Sequence, residues 1–204
     1  MLNVGIYIYD HAEVLDFSGP FEVFSTASRV CDAATPFNVF LVGETGNVVS
    51  ARAGYQVIPD YGFHNHPFID VLIVVGGVHF DEMEKVSVID WLVQHAAQAS
   101  LVASVCTGAF LLAEAKVVET NTVTTHWEDI PDLKCHFPAL QVVDGVRWVD
   151  EGYIVTSGGI SAGIDMCLHL VSKLHSLALA EQTARQMDFA WNNDGLDLSA
   201  GNDS

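Results

Sequence analysis

The chain has 204 residues, half of them apolar, with 26 acidic against 8 basic side chains and a formal net charge of −18. Such a length fits one domain with a sizeable core that needs no disulfide or metal staple. So few cations leave little to neutralise phosphates, which argues against a nucleic-acid partner, and no apolar run is long enough to span a bilayer, which argues against a membrane one.

The first strand is expected over Leu2–Tyr9, with no basic leader and apolar signal core before it, so a cytoplasmic protein is expected. A helix follows from Phe21 to about Val30, with Ser18 as its cap and Pro20 in its first turn. Phe37–Val42 reads as the next strand, and two short alternating runs around Gly54 read as a hairpin or an edge excursion between Asn47 and Ile58. Asp70–Val75 is an unbroken apolar strand that ends in Gly76-Gly77, and a long helix is expected from about Phe80 to Ala99.

Ser100–Val105 is a buried strand, and Thr107–Ala115 a helix, which leaves Cys106 at the junction. Val123–Thr125 is a short strand leading through His126 into a helical segment, and Val142-Val143, Arg147–Val149 and Tyr153–Thr156 are short pairing segments. A helix from about Ser161 to Leu174 places Asp165, His169 and Lys173 on one polar stripe. Ala178–Phe189 is the last helix, so residues 1–191 form the domain, and 192–204 are expected as a polar, disordered tail.

Strands alternating with helices imply right-handed crossovers and a three-layer α/β/α fold around a mainly parallel sheet. In such sheets ligands bind beyond the carboxyl ends of the strands. Gly76-Gly77, Cys106, His126 and Gly158-Gly159 all follow strands and are expected to meet there. Cys106 then occupies a strand-to-helix elbow, where unpaired helical N–H groups and the helix dipole are expected to depress its thiol pKa. A small buried residue at a tight turn is the alternative. The four cysteines, Cys31, Cys106, Cys135 and Cys167, show no metal-like spacing, and His64, His66 and His79 no ligand-like arrangement, so free thiols and no metal are expected.

Several segments together resemble the ThiJ/PfpI superfamily: Leu15–Phe24, Gly76-Gly77, Ser104–Ala109, Thr124–Trp127 and Thr156–Met166. The resemblance runs from the first strand to about Trp191. It implies a flavodoxin-like, class I glutamine-amidotransferase-like fold with a cysteine at a nucleophile elbow. The combination is most similar to the isocyanide hydratase branch, and similar as well to the amidotransferase-like domain that precedes an AraC-type DNA-binding region in certain regulators. After the last helix the chain offers no helix-turn-helix segment, so a regulator-like module is expected here without its DNA-reading part.

The resemblance implies a catalytic pair, Cys106 as nucleophile and Asp16 as the acid–base that reaches its sulfur. Backbone N–H donors are expected from Gly76, Gly77, Thr107, Gly159 and Ile160, and His126 lines the pocket with no obvious orienting acid. Glycines are suited to such a role because absent side chains let the backbone approach a ligand. The implied activity is hydration of an isocyanide to an N-substituted formamide, without a cofactor and in a homodimer. The alternative is a non-enzymatic ligand-binding or thiol-oxidation sensor domain.

Overall fold

The computed structural model describes residues 1–199. In chain order its elements begin with β1 (Leu2–Tyr7), α1 (Val14–Val30), β2 (Phe37–Val42), the hairpin strands β3 (Val49–Ser50) and β4 (Gln56–Val57), and β5 (Val71–Val74). Next come α2 (Phe80–Met83), α3 (Val86–Ala96), β6 (Leu101–Val105), α4 (Gly108–Glu114), β7 (Thr122–Val123), α5 (Ile130–His136) and β8 (Gln141–Val142). The chain closes with β9 (Trp148–Asp150), β10 (Ile154–Ser157), α6 (Ala162–Leu174), α7 (Leu177–Gln186) and β11 (Leu196–Asp197).

The main sheet runs in the order β11-β9-β10-β6-β5-β1-β2. β1 pairs in parallel with β2 and β5, β5 with β6, and β6 with β10, while β9 lies antiparallel to β10. Strand order reverses between β1 and β5, so right-handed crossovers carry the helices before and after that point to opposite faces. One layer is α1, α6 and α7, packed on one another, and the other is α2, α3 and α4. Covered on both faces, β5 and β6 read as wholly apolar or small, and every residue in them is buried. This is the expected three-layer arrangement, with Cys106 on the turn from β6 into α4. Among the described residues, no helix is long and apolar enough to cross a membrane.

Four local expectations change. Helix α1 begins at Val14 and not at Phe21, which puts Asp16 in its first turn and Pro20 inside it. Ser18 is therefore no cap, and its hydroxyl donates to the Val14 carbonyl at 2.8 Å. The helix starts early because the preceding loop is tied back to the sheet, Glu13 N–H donating to Gly76 O at 2.9 Å. The helix expected over 80–99 breaks at Lys85, whose backbone is extended, and Lys85 reaches Glu82 at 2.9 Å and Glu44 at 3.5 Å. Part of the expected tail is ordered, because Leu196-Asp197 adds a parallel edge strand on Val149-Asp150, while residues 200–204 of that tail lie outside the described residues.

The stripe Asp165–His169–Lys173 grades from buried Asp165 through half-buried His169 to exposed Lys173, and all three side chains are tied to charged partners. Lys173 Nζ holds both oxygens of buried Asp150 at 2.7 and 2.8 Å, and His169 Nε2 sits 2.7 Å from the same carboxylate. Burial alone raises a carboxyl pKa, but here His169 and Lys173 hold Asp150 below its ordinary value. Asp165, equally buried, takes Arg147 Nε at 2.9 Å and Asn192 N–H at 2.7 Å, and Arg147 O in turn accepts Gly158 N–H at 2.9 Å. Arg147→Ala would leave the Asp165 carboxylate without its cation, so a loss of about 3 kcal/mol in chemical denaturation is expected. The figure sits low in the usual range because the Arg147 side chain is 31% exposed. A midpoint unchanged from the parent protein would show that Asp165 needs no cation.

Candidate active site

The carboxyl ends of β1, β5, β6 and β10 converge on Cys106. Its φ of 54° is left-handed, uncommon for a residue with a side chain, and the turn is pinned at both ends. The Cys106 N–H donates to Ser157 O and Gly158 O, each at 3.2 Å, and its carbonyl accepts the Thr125 hydroxyl at 2.8 Å. The neighbouring loop comes close because Gly76 lacks a side chain. A Cβ there would lie 2.5 Å from Thr107 N and 2.8 Å from Cys106 Cβ.

Asp16 reaches this point from α1. Its side chain is fully buried, and Oδ2 accepts the Gly76 N–H at 3.1 Å. Oδ1 is buried with no partner of its own, while the Cys106 thiol and the Ile160 N–H lie close enough to the carboxyl to lower its pKa. Burial outweighs these donors, and the Asp16 pKa rises from 3.8 to about 7. Ile160 presents its N–H from a left-handed backbone with φ of 56°.

The thiol departs from the expectation for a helix start. Burial, then the Asp16 charge, push the Cys106 pKa well up, and the opposing Thr107 N–H is too little to reverse it. Helix α4 has only seven residues, and Cys106 is 7% exposed, so desolvation of the thiolate overrides any pull from the helix end. The pair therefore holds its protons more tightly than either group does in water. Its carboxyl can take a proton from the thiol and return it to a bound molecule, which is the logic of general acid–base catalysis beside a nucleophile.

The expected donor set is also revised. The Gly76 N–H serves Asp16, and the Gly77 N–H donates to Thr107 Oγ1 at 2.9 Å, so neither is free to meet an anion. The Thr107 hydroxyl donates back to Gly77 O at 3.1 Å, a clamp between the two loops. Thr107 N–H remains directed at the sulfur and Ile160 N–H at Asp16. Gly159 serves another purpose, since any side chain there would overlap the His126 ring.

Two acids do lie beside His126. Its Nδ1 lies 3.3 Å from Asp129 Oδ2 and 3.8 Å from Glu128 Oε2. The signal was legible: residues three apart in a 3₁₀ turn eclipse one another, and Trp127–Asp129 is such a turn. Sequence reasoning also passed over Arg52 and Glu13, and weighed His79 only as a metal ligand, yet all three line the site through tertiary contacts. His79 is buried with its ring against Phe80 and Phe110 at centroid distances of 4.4 Å each. Burial lowers its pKa, Nδ1 lies 3.3 Å from Gly77 O, and Nε2 has no partner.

These residues enclose a cleft of about 370 Å³ that opens over Cys106. A larger hollow of about 1080 Å³ beside Trp91 and His95 holds no cysteine and stands apart from this chemistry. Asp150, His169 and Asp197 offer ligand atoms within 4.8 Å of one another, but Lys173 already occupies both Asp150 oxygens. That cluster is an ionic pin at the sheet edge.

A family described as the DJ-1/PfpI family matches residues 3–173. Isonitrile hydratase of Pseudomonas putida is 33% identical over 190 residues, 93% of this chain and 79% of that protein. The transcriptional regulator GbdR of Pseudomonas aeruginosa is 26% identical over 87% of this chain, which spans only 48% of the regulator. A ThiJ/PfpI family protein from Pseudomonas syringae superposes with a TM-score of 0.83 at 22% identity, covering 94% of this chain and 76% of that one.

Proposed function

The chain belongs to the DJ-1/PfpI family, and from that premise we propose that it is a cysteine-dependent hydratase acting on isocyanides, R–N≡C, to yield N-substituted formamides. The observation that carries the reading is the buried, half-satisfied Asp16 carboxyl beside Cys106, which itself lines a cleft.

Asp16 takes the thiol proton as Cys106 sulfur bonds to the terminal isocyanide carbon, then delivers that proton to the same carbon. The product is a thioimidate, R–N=CH–S–Cys106. Ionised again, Asp16 removes a proton from water, whose oxygen adds to the thioimidate carbon, and passes the proton to nitrogen. Collapse of the adduct breaks the C–S bond, releases R–NH–CHO and returns the hydroxyl proton through Asp16 to sulfur. One water is consumed and every proton passes through one carboxyl. Thr107 N–H, directed at the sulfur, steadies its charge as the bond breaks.

The pH dependence follows from the pair. Capture of substrate needs one negative charge shared between Asp16 and Cys106, whichever atom holds the proton. Asp16 loses its proton at about 7 and the thiol well above that. kcat/KM for cyclohexyl isocyanide should therefore rise about tenfold per pH unit below that point and level off above it. A flat profile through neutrality removes Asp16 from the reaction. Intact mass under turnover should show a transient adduct on Cys106 equal to the substrate mass.

The likeness to half of a regulator supports a second reading, a ligand-binding or thiol-oxidation domain without turnover. Oxidation of Cys106 by peroxide, with no formamide formed from any isocyanide, is the outcome that favours it.

A further inference from the structure

The wall of the cleft over Cys106 is acidic. Glu13, Glu128 and Asp129 line it, with Arg52 as the one arginine or lysine among its described lining residues. Arg52 is already matched, its Nε lying 3.8 Å from Glu13 Oε2. His126 stands between the other two carboxylates at 3.3 and 3.8 Å. His79 lines the same cleft, buried and with its Nε2 unpartnered, and beside Cys106 the Asp16 Oδ1 is buried and unpartnered as well. Their field reaches the reacting atom, since after burial and Asp16, the charges of Asp129 and Glu13 also push the thiol up. Clefts of one sign between low-dielectric walls concentrate ligands of the other sign. Between the carboxylates the surface is apolar, with Val78, Phe80 and Ile160 all partly exposed along the wall.

We propose that this cleft admits small neutral and cationic molecules with an apolar body, amine-bearing isocyanides among them, and turns away carboxylates and phosphates. The isocyanide group rests on the hydratase reading, whereas the charge preference rests on the cleft alone. A carboxylate entering would stand beside Glu128 and Asp129 with Arg52 already engaged by Glu13. An ammonium group would meet the same two acids in reach of His126.

Three methanethiosulfonates of similar size test this without any turnover: one with a trimethylammonium group, one neutral, one with a sulfonate. In each, Cys106 sulfur bonds to the reagent's sulfenyl sulfur, the S–SO₂ bond breaks, methanesulfinate leaves and the thiol proton goes to solvent. Rates at Cys106, read by peptide mass mapping and divided by each reagent's rate with a small neutral thiol, should favour the cation over the anion by about tenfold or more at low salt. The preference should shrink as ionic strength rises from about 0.01 M to about 1 M, where the screening length falls to a few ångström. A Glu13→Gln, Glu128→Gln double variant should narrow it likewise. Equal normalised rates, an anion preference, or no modification of Cys106 by any of the three would overturn the proposal.

A parallel turnover series keeps the two readings apart. Cyclohexyl isocyanide and an aminoalkyl isocyanide should be hydrated, and isocyanoacetate at least about tenfold more slowly by kcat/KM. If no isocyanide is hydrated but the labelling order holds, the hydratase reading falls and the charge preference stands. If isocyanoacetate is hydrated as well as the neutral substrate, the preference falls and the hydratase reading stands.

Discussion

An Asp16→Asn protein is expected to hydrate isocyanides at least ~100-fold more slowly than the parent while melting higher above neutral pH. The two effects have one cause. Asp16 is buried, and burial lifts its pKa from 3.8 to about 7, so ionising it costs the folded state free energy. A carboxyl whose folded pKa is raised contributes most to stability below its unfolded value. That contribution is lost as pH rises through the folded value, here between 3.8 and about 7. The whole shift corresponds to at most about 4 kcal/mol.

Asparagine removes that cost and still accepts the Gly76 N–H, but its NH₂ would be buried where Oδ1 has no partner, which returns part of the gain. Parent and variant should converge near pH 4 and diverge as the pH approaches 8. The same substitution removes the largest cause after burial of the raised Cys106 pKa, so ultraviolet titration should find the thiolate forming at lower pH. A variant with a more acidic thiol and a steadier fold, yet little turnover, separates acid–base catalysis from packing. Parental turnover from a well-folded Asp16→Asn protein would leave the mechanism without its proton carrier.

Gly76→Ala should be nearly as damaging for a different reason. Its methyl would lie 2.5 Å from Thr107 N and 2.8 Å from Cys106 Cβ, and neither atom can yield without moving the elbow. The Gly76 N–H that holds Asp16 would shift too, so Cys106 and Asp16 lose their mutual placement together. A displacement near 1 Å at such a site costs on the order of 100-fold in rate. Overpacking of this kind also destabilises by about 1–3 kcal/mol. Activity should fall while circular dichroism remains native, and Cys106 labelling should change its charge preference less than its absolute rate. Full activity in Gly76→Ala would mean that the elbow has slack the geometry does not suggest.

Much of this was legible along the chain. Unbroken apolar runs at Val71–Val74 and Leu101–Val105 announce strands covered on both faces, because only a sheet flanked by helices can bury every side chain of a strand. The alternation of strand and helix then places Gly76, Cys106, His126 and Gly159 at one edge, since right-handed crossovers leave few other arrangements. Cys106 at an elbow and Asp16 as its partner were both readable, the first from the junction and the second from the family resemblance.

What lay beyond the sequence depends on distances between segments far apart in it. That the Gly76 and Gly77 N–H groups serve Asp16 and Thr107, and not a bound anion, is a matter of where three loops meet. The start of α1 at Val14 follows from Glu13 being tied to Gly76, a partner 63 residues away in the sequence, and no local propensity around Pro20 announces it. The stripe of Asp165, His169 and Lys173 is polar and evenly spaced, but only the tertiary structure ties it to buried Asp150 and to Arg147. The sign of the Cys106 shift is the clearest case. A helix start favours a thiolate locally, but pKa is set by everything within several ångström, and here desolvation and the Asp16 charge outweigh one short helix. The order of elements and the place of Cys106 at an elbow belong to the sequence itself; proton affinity, donor assignment and the charge of the cleft arise only when distant side chains are brought together in a dry place.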